Sequence, residues 1–291
     1  MPHALQIPNA RERWMVRLAD LATAPLAWRH SRQASGAVRR VLLLRLERIG
    51  DLVMTRDAIA DAREAWPGAE IDVAVGAWNA PIAALLAGVT RVEVVTVPWL
   101  ARDGQADAWP SLVAKARAWR ARYDVVVNFE PDVRSNFLAW LSGAPRRVGY
   151  GTGGGAAFLT DAADYAPADH VSVNARRLVA RAAGRADGPA PAARTTRLVL
   201  PDDAVRRARA LVGGASRPLV GIHASGGRAS KQWHLDRFAA AARAIVRARG
   251  GTIVLTGTDA DRPLVDAVRA GLADEPTIDA DLLPPFAATT M

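Results

Sequence analysis

Short apolar runs alternate with longer amphipathic segments along most of the chain, which is typical of strands and helices that follow each other in βα units. In the first part, five apolar runs predict strands, and helices are predicted in the intervals between them, most evidently at two amphipathic segments. The strands are residues 41–46, 70–75, 92–97, 124–129 and 147–150, and the helices are 52–66 and 107–122. The pattern therefore predicts an α/β fold with a parallel sheet.

Residues 184–196 interrupt this pattern, because they are rich in Pro, Gly and Ala and have no apolar period, as in a linker. The elements predicted after them are helix 201–211, strand 219–223, helix 235–249, strand 252–256, helix 262–273 and a third strand at 277–278. The Pro284-Pro285 pair then ends the pattern. We therefore expect two domains, residues 39–183 and 197–291, and the second one is short or incomplete.

Residues 1–38 form a basic N-terminal arm. From residue 10 to about residue 30, apolar side chains recur at helical spacing with Arg between them, and Pro25 is expected to break or kink the helix. The side chains are Trp14, Met15, Leu18 and Leu21, with Arg11, Arg13 and Arg17. Such a helix can lie on an anionic membrane surface or pack on its own protein, and the sequence leaves both interpretations open.

The positive charge is concentrated in the first 40 residues. Of the formal net charge of +9, residues 1–40 carry +5, from seven Arg against Glu12 and Asp20, which leaves +4 for the other 251 residues. Lys occurs only at Lys115 and Lys231, so the excess of Arg reflects coding bias as much as a phosphate-binding surface. We therefore expect no nucleic-acid partner.

Composition removes several other classes of protein. The chain has no Cys, which excludes disulfides, Cys-ligated zinc, iron–sulfur clusters and a thiol nucleophile. The five His show no metal-ligand spacing, so no metal site is expected. No apolar run reaches 18 residues and the N-terminus lacks the apolar stretch of a signal peptide, so a cytoplasmic protein is expected.

The first chemical candidate follows the apolar run 41–46, where Gly50 and Asp51 precede the first predicted helix. Ligands of open α/β sheets bind in the crevice beyond the carboxyl ends of the strands, so these two residues are well placed for a site. The alternative is that Asp51 caps a helix starting at Leu52, while Gly50 supplies the turn.

The second candidate is the loop 221–233, which follows a predicted strand and leads into a helix. Its small residues expose backbone N–H groups and Arg228 and Lys231 add positive charge, a combination that suits a diphosphate. It lacks the Gly-Lys-Ser/Thr of a P-loop. The alternative is a solvated basic loop.

Two further segments lie near predicted strand ends. Asp259 and Asp261 follow the strand 252–256, where they suit a divalent metal, a ribose hydroxyl or a helix cap. Residues 150–155 (YGTGGG) resemble a dinucleotide fingerprint only superficially, because no helix and acidic partner follow at the required distance. We predict that this segment is a flexible loop.

Several ordered motifs together resemble glycosyltransferase family 9, the lipopolysaccharide heptosyltransferases and their relatives. The motifs are Ile49-Gly50-Asp51, Trp78-Asn79-Ala80-Pro81, residues 123–127 (YDVVV), residues 146–150 (RRVGY), His223-Ala224-Ser225, Lys231-Gln232-Trp233 and Phe238. The resemblance covers about residues 39–275.

The resemblance implies a GT-B fold, in which two Rossmann-like domains face each other across a cleft. It also implies inversion at the anomeric carbon of an ADP-activated sugar without an obligatory metal or other cofactor. On the acceptor side Asp51 matches the family's proposed base. On the donor side Lys231 matches the phosphate-binding Lys and Asp261 an acidic residue that holds the ribose. The other residues expected to contact the donor are Gly50, His223, Ser225, Gly226 and Arg228.

The function implied is transfer of a sugar, heptose from ADP-heptose, onto a lipopolysaccharide-core or other lipid-linked cell-envelope acceptor. The enzyme would work at the cytoplasmic membrane face, held there peripherally by residues 1–38. Family members usually continue through a segment with an Asp, a Gly and a His, and nothing after Asp281 matches it. We therefore expect this chain to bind ADP weakly and to transfer sugar slowly or not at all. The alternative is a non-catalytic member that binds a nucleotide or a partner without turnover.

Overall fold

The computed structural model describes residues 4–27, 36–101, 106–185, 196–226, 231–272 and 275–279. The chain divides into two compact units, Met1–Val199 and Leu200–Met291. The segment predicted as a linker, residues 184–196, lies almost entirely outside the described residues, so the predicted domain boundaries stay a prediction.

The first unit is built on a parallel sheet of six strands. The strands are β1 (Arg40–Leu44), β2 (Glu70–Val75), β3 (Arg91–Val94), β4 (Val125–Asn128), β5 (Arg146–Tyr150) and β6 (Asp161–Ala163). Their order is β3-β2-β1-β4-β5-β6, and every neighbouring pair is parallel. This is the doubly wound order, in which the direction of winding reverses between β1 and β4.

Helices cover both faces of this sheet. The helices of this unit are α1 (Ala10–Ala27), α2 (Ile49–Met54), α3 (Arg56–Ala65), α4 (Ala80–Ala83), α5 (Trp109–Ala118), α6 (Val133–Leu141) and α7 (Val171–Ala182), and those after α1 supply the two faces. Successive residues of β1 point to opposite faces, so Val41 and Leu43 enter one buried cluster and Leu42 and Leu44 enter the other. A strand buried on both faces reads as a continuous apolar run, which is why this strand was visible in the sequence.

The structure confirms the predicted α/β class, but some of its elements differ from the predicted ones. β6 was not predicted, because its three residues, Asp161–Ala163, carry no apolar run. The single helix predicted over residues 52–66 is wrong: α2 and α3 are separate helices, with Thr55 between them. The Thr55 hydroxyl and backbone N–H both donate to the Leu52 carbonyl, which tightens the turn at this point.

The glycine-rich segment 150–155 is packed, so the prediction of a flexible loop is wrong. Residues 150–155 are all buried, and Gly154 and Gly155 have φ of +90° and +73°. A Cβ on Gly153 would overlap the Pro131 carbonyl group. Glycine is needed here because the backbone of one loop lies directly against that of another.

The N-terminal helix packs on the first unit through one face only. Asn9 caps α1 by accepting from the N–H groups of Arg11 (2.9 Å) and Glu12 (3.2 Å), and the helix continues through Pro25 rather than ending there. On the packed face, Val16 lies against Gly154 and the Asp20 carboxylate accepts from the Gly155 N–H at 2.6 Å. The predicted packing of the arm on its own protein is therefore present.

The second unit has a smaller parallel sheet in the order β7-β8-β9. Its elements are α8 (Asp202–Val212), β7 (Leu219–His223), α9 (Leu235–Arg249), β8 (Thr252–Thr256), α10 (Arg262–Ala270) and β9 (Thr277–Asp279). The predicted strands 219–223 and 252–256 have the observed bounds, and a third strand is present where 277–278 was predicted. A small apolar cluster between this sheet and helices α9 and α10 forms the core of this unit.

Candidate active site

The strongest candidate site lies at the carboxyl ends of β1 and β4, where the winding of the first sheet reverses. A cavity of about 130 Å³ opens there. Its lining residues are Arg45, Glu47, Asp51, Phe129, Glu130, Pro131, Tyr150, Tyr165, Val171 and Ala175. Loops that follow neighbouring strands diverge at such a switch point, which is why open α/β sheets bind their ligands there.

Asp51 lies in the first turn of α2, which begins at Ile49 with Arg48 as its N-cap. No side chain caps this helix, so the alternative that Asp51 caps a helix starting at Leu52 is wrong. Gly50 lies inside the same helix rather than in a turn before it. The carboxylate of Asp51 is instead available to the cavity, with 27% of its side chain exposed.

Arg45 is the cation that holds Asp51. Its side chain is 7% exposed, and Nη2 lies 3.3 Å from Oδ1 of Asp51. Nη1 donates a hydrogen bond to the Phe129 carbonyl at 3.0 Å. A guanidinium fixed at both ends in this way presents its charge to Asp51 in one orientation.

Glu130 lies behind Arg45 and is buried. Its Oε1 accepts hydrogen bonds from the backbone N–H groups of Leu46 (2.8 Å) and Glu47 (3.2 Å) and lies 3.6 Å from Nη1 of Arg45. Burial raises the pKa of Glu130 to about 7, although the charge of Arg45 and the two amides favour its ionised form.

Glu47 completes the cluster from the turn between β1 and α2. Burial, and then the nearby negative charge and hydrogen bond of Asp51, raise the pKa of Glu47. The charges of Glu47 and Asp51 therefore influence each other directly. The turn itself is held by Trp78 and Asn79, whose side-chain N–H groups donate to the Glu47 carbonyl at 2.9 Å and 2.6 Å.

In the second unit, candidate donor residues meet at the carboxyl ends of β7 and β8. His223 Nδ1 lies 3.1 Å from the Thr256 carbonyl oxygen, which can only accept, so Nδ1 carries the hydrogen. Nε2 lies 2.9 Å from the Ser225 hydroxyl oxygen. The predicted residues His223 and Ser225 are thus side by side at the strand ends, and both are accessible.

Asp261 is the last residue of a short 3₁₀ turn, Asp259–Asp261, that directly precedes α10, and it caps this turn. Its Oδ2 accepts from the backbone N–H (2.9 Å) and the hydroxyl (2.7 Å) of Thr258, which forms a capping box. These hydrogen bonds, together with one from Ser225, hold the pKa of Asp261 below its ordinary value. The capping alternative is therefore present, and the contact with Ser225 places Asp261 beside the same loop.

The remaining donor candidates lie in the loop that leads to α9. Lys231 is exposed, and its backbone lies next to Gly226 across the loop. Arg228 lies outside the described residues. Gly50 belongs to the first unit, in α2, and so is not part of this cluster. Among the described residues, no group of three or more His, Asp or Glu is placed to hold a metal ion.

The cavity contains groups that the sequence did not single out, among them Arg45 and Glu130. Each had a signal, since Arg45 is a charge inside the apolar run 41–46 and Glu130 follows directly after the predicted strand 124–129. Both positions are the carboxyl ends of strands. What the sequence did not show is that these two strands are neighbours.

Comparisons with known proteins define first the class and then the family. The chain is similar to solved glycosyltransferase structures, which confirms the GT-B-like α/β fold class. For E. coli ADP-heptose lps heptosyltransferase II the identity is 17% and the TM-score 0.64, covering 82% of this chain and 72% of that one. For the glycosyl transferase family 9 protein from Veillonella parvula DSM 2008 the identity is 20% and the TM-score 0.68, covering 83% of this chain and 69% of that one. For E. coli heptosyltransferase WaaC with ADP the identity is 21% and the TM-score 0.61, covering 82% of this chain and 73% of that one.

The sequence model of glycosyltransferase family 9 (heptosyltransferase) matches residues 113–287, more than half of the chain. The chain therefore belongs to glycosyltransferase family 9 and is a glycosyltransferase. Membership of such a family implies a nucleotide-sugar donor and a glycan acceptor. A search of curated proteins found no significant match. No helix within the described ranges is long and apolar enough to span a membrane.

Proposed function

We propose that this protein is an inverting glycosyltransferase that moves a heptose from ADP-heptose onto a lipopolysaccharide-core or other cell-envelope acceptor. The observation that carries the proposal is the Asp51 carboxylate, held by Arg45 beside a cavity at the switch point of a glycosyltransferase fold. The family supports the sugar transfer. The donor and acceptor are supported by relatives whose structures are described as an ADP-heptose lps heptosyltransferase and as complexes with ADP and ADP-2-deoxy-2-fluoro heptose.

In this reaction Asp51 is the general base. The acceptor hydroxyl attacks the anomeric carbon from the face opposite the diphosphate, its proton passes to Asp51, and the bond from that carbon to the diphosphate oxygen breaks. The configuration at the anomeric carbon therefore inverts, and ADP leaves with the bonding electrons.

On the donor side, Lys231 and the backbone of the loop after β7 stabilise the charge that develops on the leaving diphosphate. Ser225 and His223 lie side by side at the same strand ends, and we expect their polar groups to contact the phosphates. Asp261 holds a ribose hydroxyl with the part of its carboxylate that the capping box leaves available. No metal or other cofactor is required by this set of groups.

The direct test is to incubate the purified 291-residue protein with ADP-heptose and lipopolysaccharide-core acceptors and to detect the product by mass spectrometry. UDP- and GDP-sugars, tested in parallel, serve as control donors. Heptosylated product with release of ADP supports the proposal. Product formed only from another nucleotide sugar contradicts the donor class, and binding of ADP without any product supports the alternative of a member without turnover.

We also propose that α1 attaches the enzyme to an anionic membrane surface, where a lipid-linked acceptor would lie. Trp14, Leu18 and Leu21 share one face of this helix and are 63%, 46% and 72% exposed. Val16 and Asp20, which contact the rest of the unit, lie on the opposite face. The helix thus turns an apolar face outwards, and residues 1–40, which include it, carry a formal charge of +5. An apolar face together with nearby positive charge is typical of an interfacial helix.

The variant Trp14→Gln/Leu18→Gln/Leu21→Gln should reduce co-sedimentation with anionic vesicles by roughly tenfold or more, because apolar side chains and nearby Arg both contribute to interfacial binding. Deleting the arm is a poorer test, since it uncovers Gly154. Val199→Gln/Leu200→Gln/Leu211→Gln, which removes three exposed apolar side chains elsewhere, is the control. Equal sedimentation of both variants and the wild type would contradict membrane attachment.

A further inference from the structure

The cavity beside Asp51 holds one buried cation and three carboxylates, and the proposed reaction uses only one of them. The two terminal nitrogens of Arg45 divide between two of these carboxylates: Nη2 lies 3.3 Å from Asp51 and Nη1 lies 3.6 Å from Glu130. Both contacts are made by one guanidinium, so a charge on either carboxylate changes the field that the other experiences.

Glu130 also holds the backbone that carries Asp51. Its Oε1 accepts from two successive N–H groups, those of Leu46 and Glu47, in the turn that leads into α2. A buried carboxylate is costly unless it is paired and hydrogen-bonded, and here the same oxygen contacts both the turn and the cation.

We propose that Glu130 is a positioning residue for Asp51, acting through Arg45, and that the negative charge of Glu130 sets how much of the Arg45 charge reaches the base. When Glu130 is charged, Arg45 is shared and Asp51 accepts a proton more readily. When Glu130 is neutral, the whole guanidinium charge acts on Asp51 and weakens it as a base. This inference rests on the proposed role of Asp51.

Arg45 is the charged group that contacts both Glu130 and Asp51. The groups that face Glu130 or its neighbours are Arg45, Glu47, Asp51, Tyr150, Tyr165 and, further out, Arg177. Burial raises the pKa of Tyr150, so this phenol stays neutral. The raised pKa of Glu130, about 7, places its ionisation close to neutral pH.

The kinetic test compares Glu130→Gln with the wild type across pH. Gln still accepts from the two N–H groups of the turn but carries no charge. We expect equal kcat near pH 5.5, where wild-type Glu130 is protonated, and a roughly tenfold lower kcat for the variant near pH 8.5, with KM unchanged. Asp72→Asn is the control, because Asp72 is another buried carboxyl group with a raised pKa, hydrogen-bonded to Tyr123 and away from this cavity, and its pH profile should match the wild type.

A second measurement is independent of turnover. The chain has seven Glu, so the carboxyl carbon of Glu130 can be followed by NMR in protein labelled at Glu. Coupling through Arg45 is reciprocal, so Asp51→Asn should move the titration of Glu130 to lower pH by roughly one unit. The shift should persist when both proteins also carry Glu47→Gln, which removes the route through Glu47.

The outcomes separate this inference from the proposed function. A loss of kcat in Glu130→Gln that is the same at every pH, or no loss at all, overturns the positioning role. A loss of kcat as large as that of Asp51→Asn would make Glu130 the base and would also overturn its positioning role. An unmoved Glu130 titration in Asp51→Asn overturns the coupling even if Glu130→Gln does not fold. Full activity of Asp51→Asn contradicts the proposed base, while the titration still decides the coupling.

Discussion

Replacing Asp51 with Asn should lower kcat by roughly 10²–10⁴-fold, the range lost when a positioned general base is removed. Asn preserves the shape of the side chain and can still accept from Arg45, but it cannot take the proton of the acceptor hydroxyl. Affinity for ADP should stay close to that of the wild type, because the proposed phosphate contacts lie in the second unit. Turnover measured by mass spectrometry and ADP binding measured by calorimetry check the two halves of this expectation.

The matched control is Asp57→Asn. Asp57 occupies the first turn of α3, the next helix, as Asp51 occupies the first turn of α2, and it pairs with Arg56 rather than with a group in the cavity. Both substitutions remove a negative charge near a helix N-terminus, where it is stabilising by ~0.3–1 kcal/mol. Similar stability of the two variants with a loss of turnover only in Asp51→Asn supports the base. Equal turnover in both would remove Asp51 from the chemistry.

Replacing Lys231 with Ala is expected to weaken ADP binding and to reduce the rate by roughly 10²-fold or more, by analogy with the loss of a preorganised charge-stabilising donor. The side chain is exposed in a loop of small residues between β7 and α9, so its removal should leave the core of the second unit intact. Lys231→Arg keeps the charge and should recover part of the affinity.

Lys115→Ala is the control, because Lys115 is the only other Lys of the chain. It lies in the first unit, where its Nζ is 2.7 Å from both carboxylate oxygens of Asp107. Its loss should leave the affinity for ADP unchanged. An ADP affinity in Lys231→Ala equal to that of the wild type would exclude Lys231 from the diphosphate site.

Much of the secondary structure could be predicted because it depends on local patterns. The bounds of β7, α9 and β8 agree with the sequence prediction, since each is an uninterrupted apolar or amphipathic segment. The errors fall where tertiary contacts replace the local pattern. Residues 150–155 have the composition of a flexible loop but lie against the Pro131 carbonyl group and α1, which only the fold brings there.

The role of Asp51, the candidate base, also depended on information beyond the local sequence pattern. The position of Asp51 after a strand pointed to it in the sequence. Its alternative role as a cap is excluded by the structure, in which α2 begins at Ile49, two residues before Asp51. For α1, the spacing of Trp14, Leu18 and Leu21 predicted an apolar face. Its direction, outwards rather than towards the sheet, required the contacts of Val16 and Asp20.

The sequence by itself determined the α/β class, the family and the position of Asp51 at a strand end, because apolar period and ordered motifs are properties of neighbouring residues. The tertiary structure decided which groups surround Asp51. Arg45 and Phe129 are 84 positions apart in the chain, yet they hydrogen-bond because β1 and β4 are paired. Burial of Arg45 and Glu130 then follows from the packing on both sides of that pair, and burial is what raises the pKa of Glu130 to about 7.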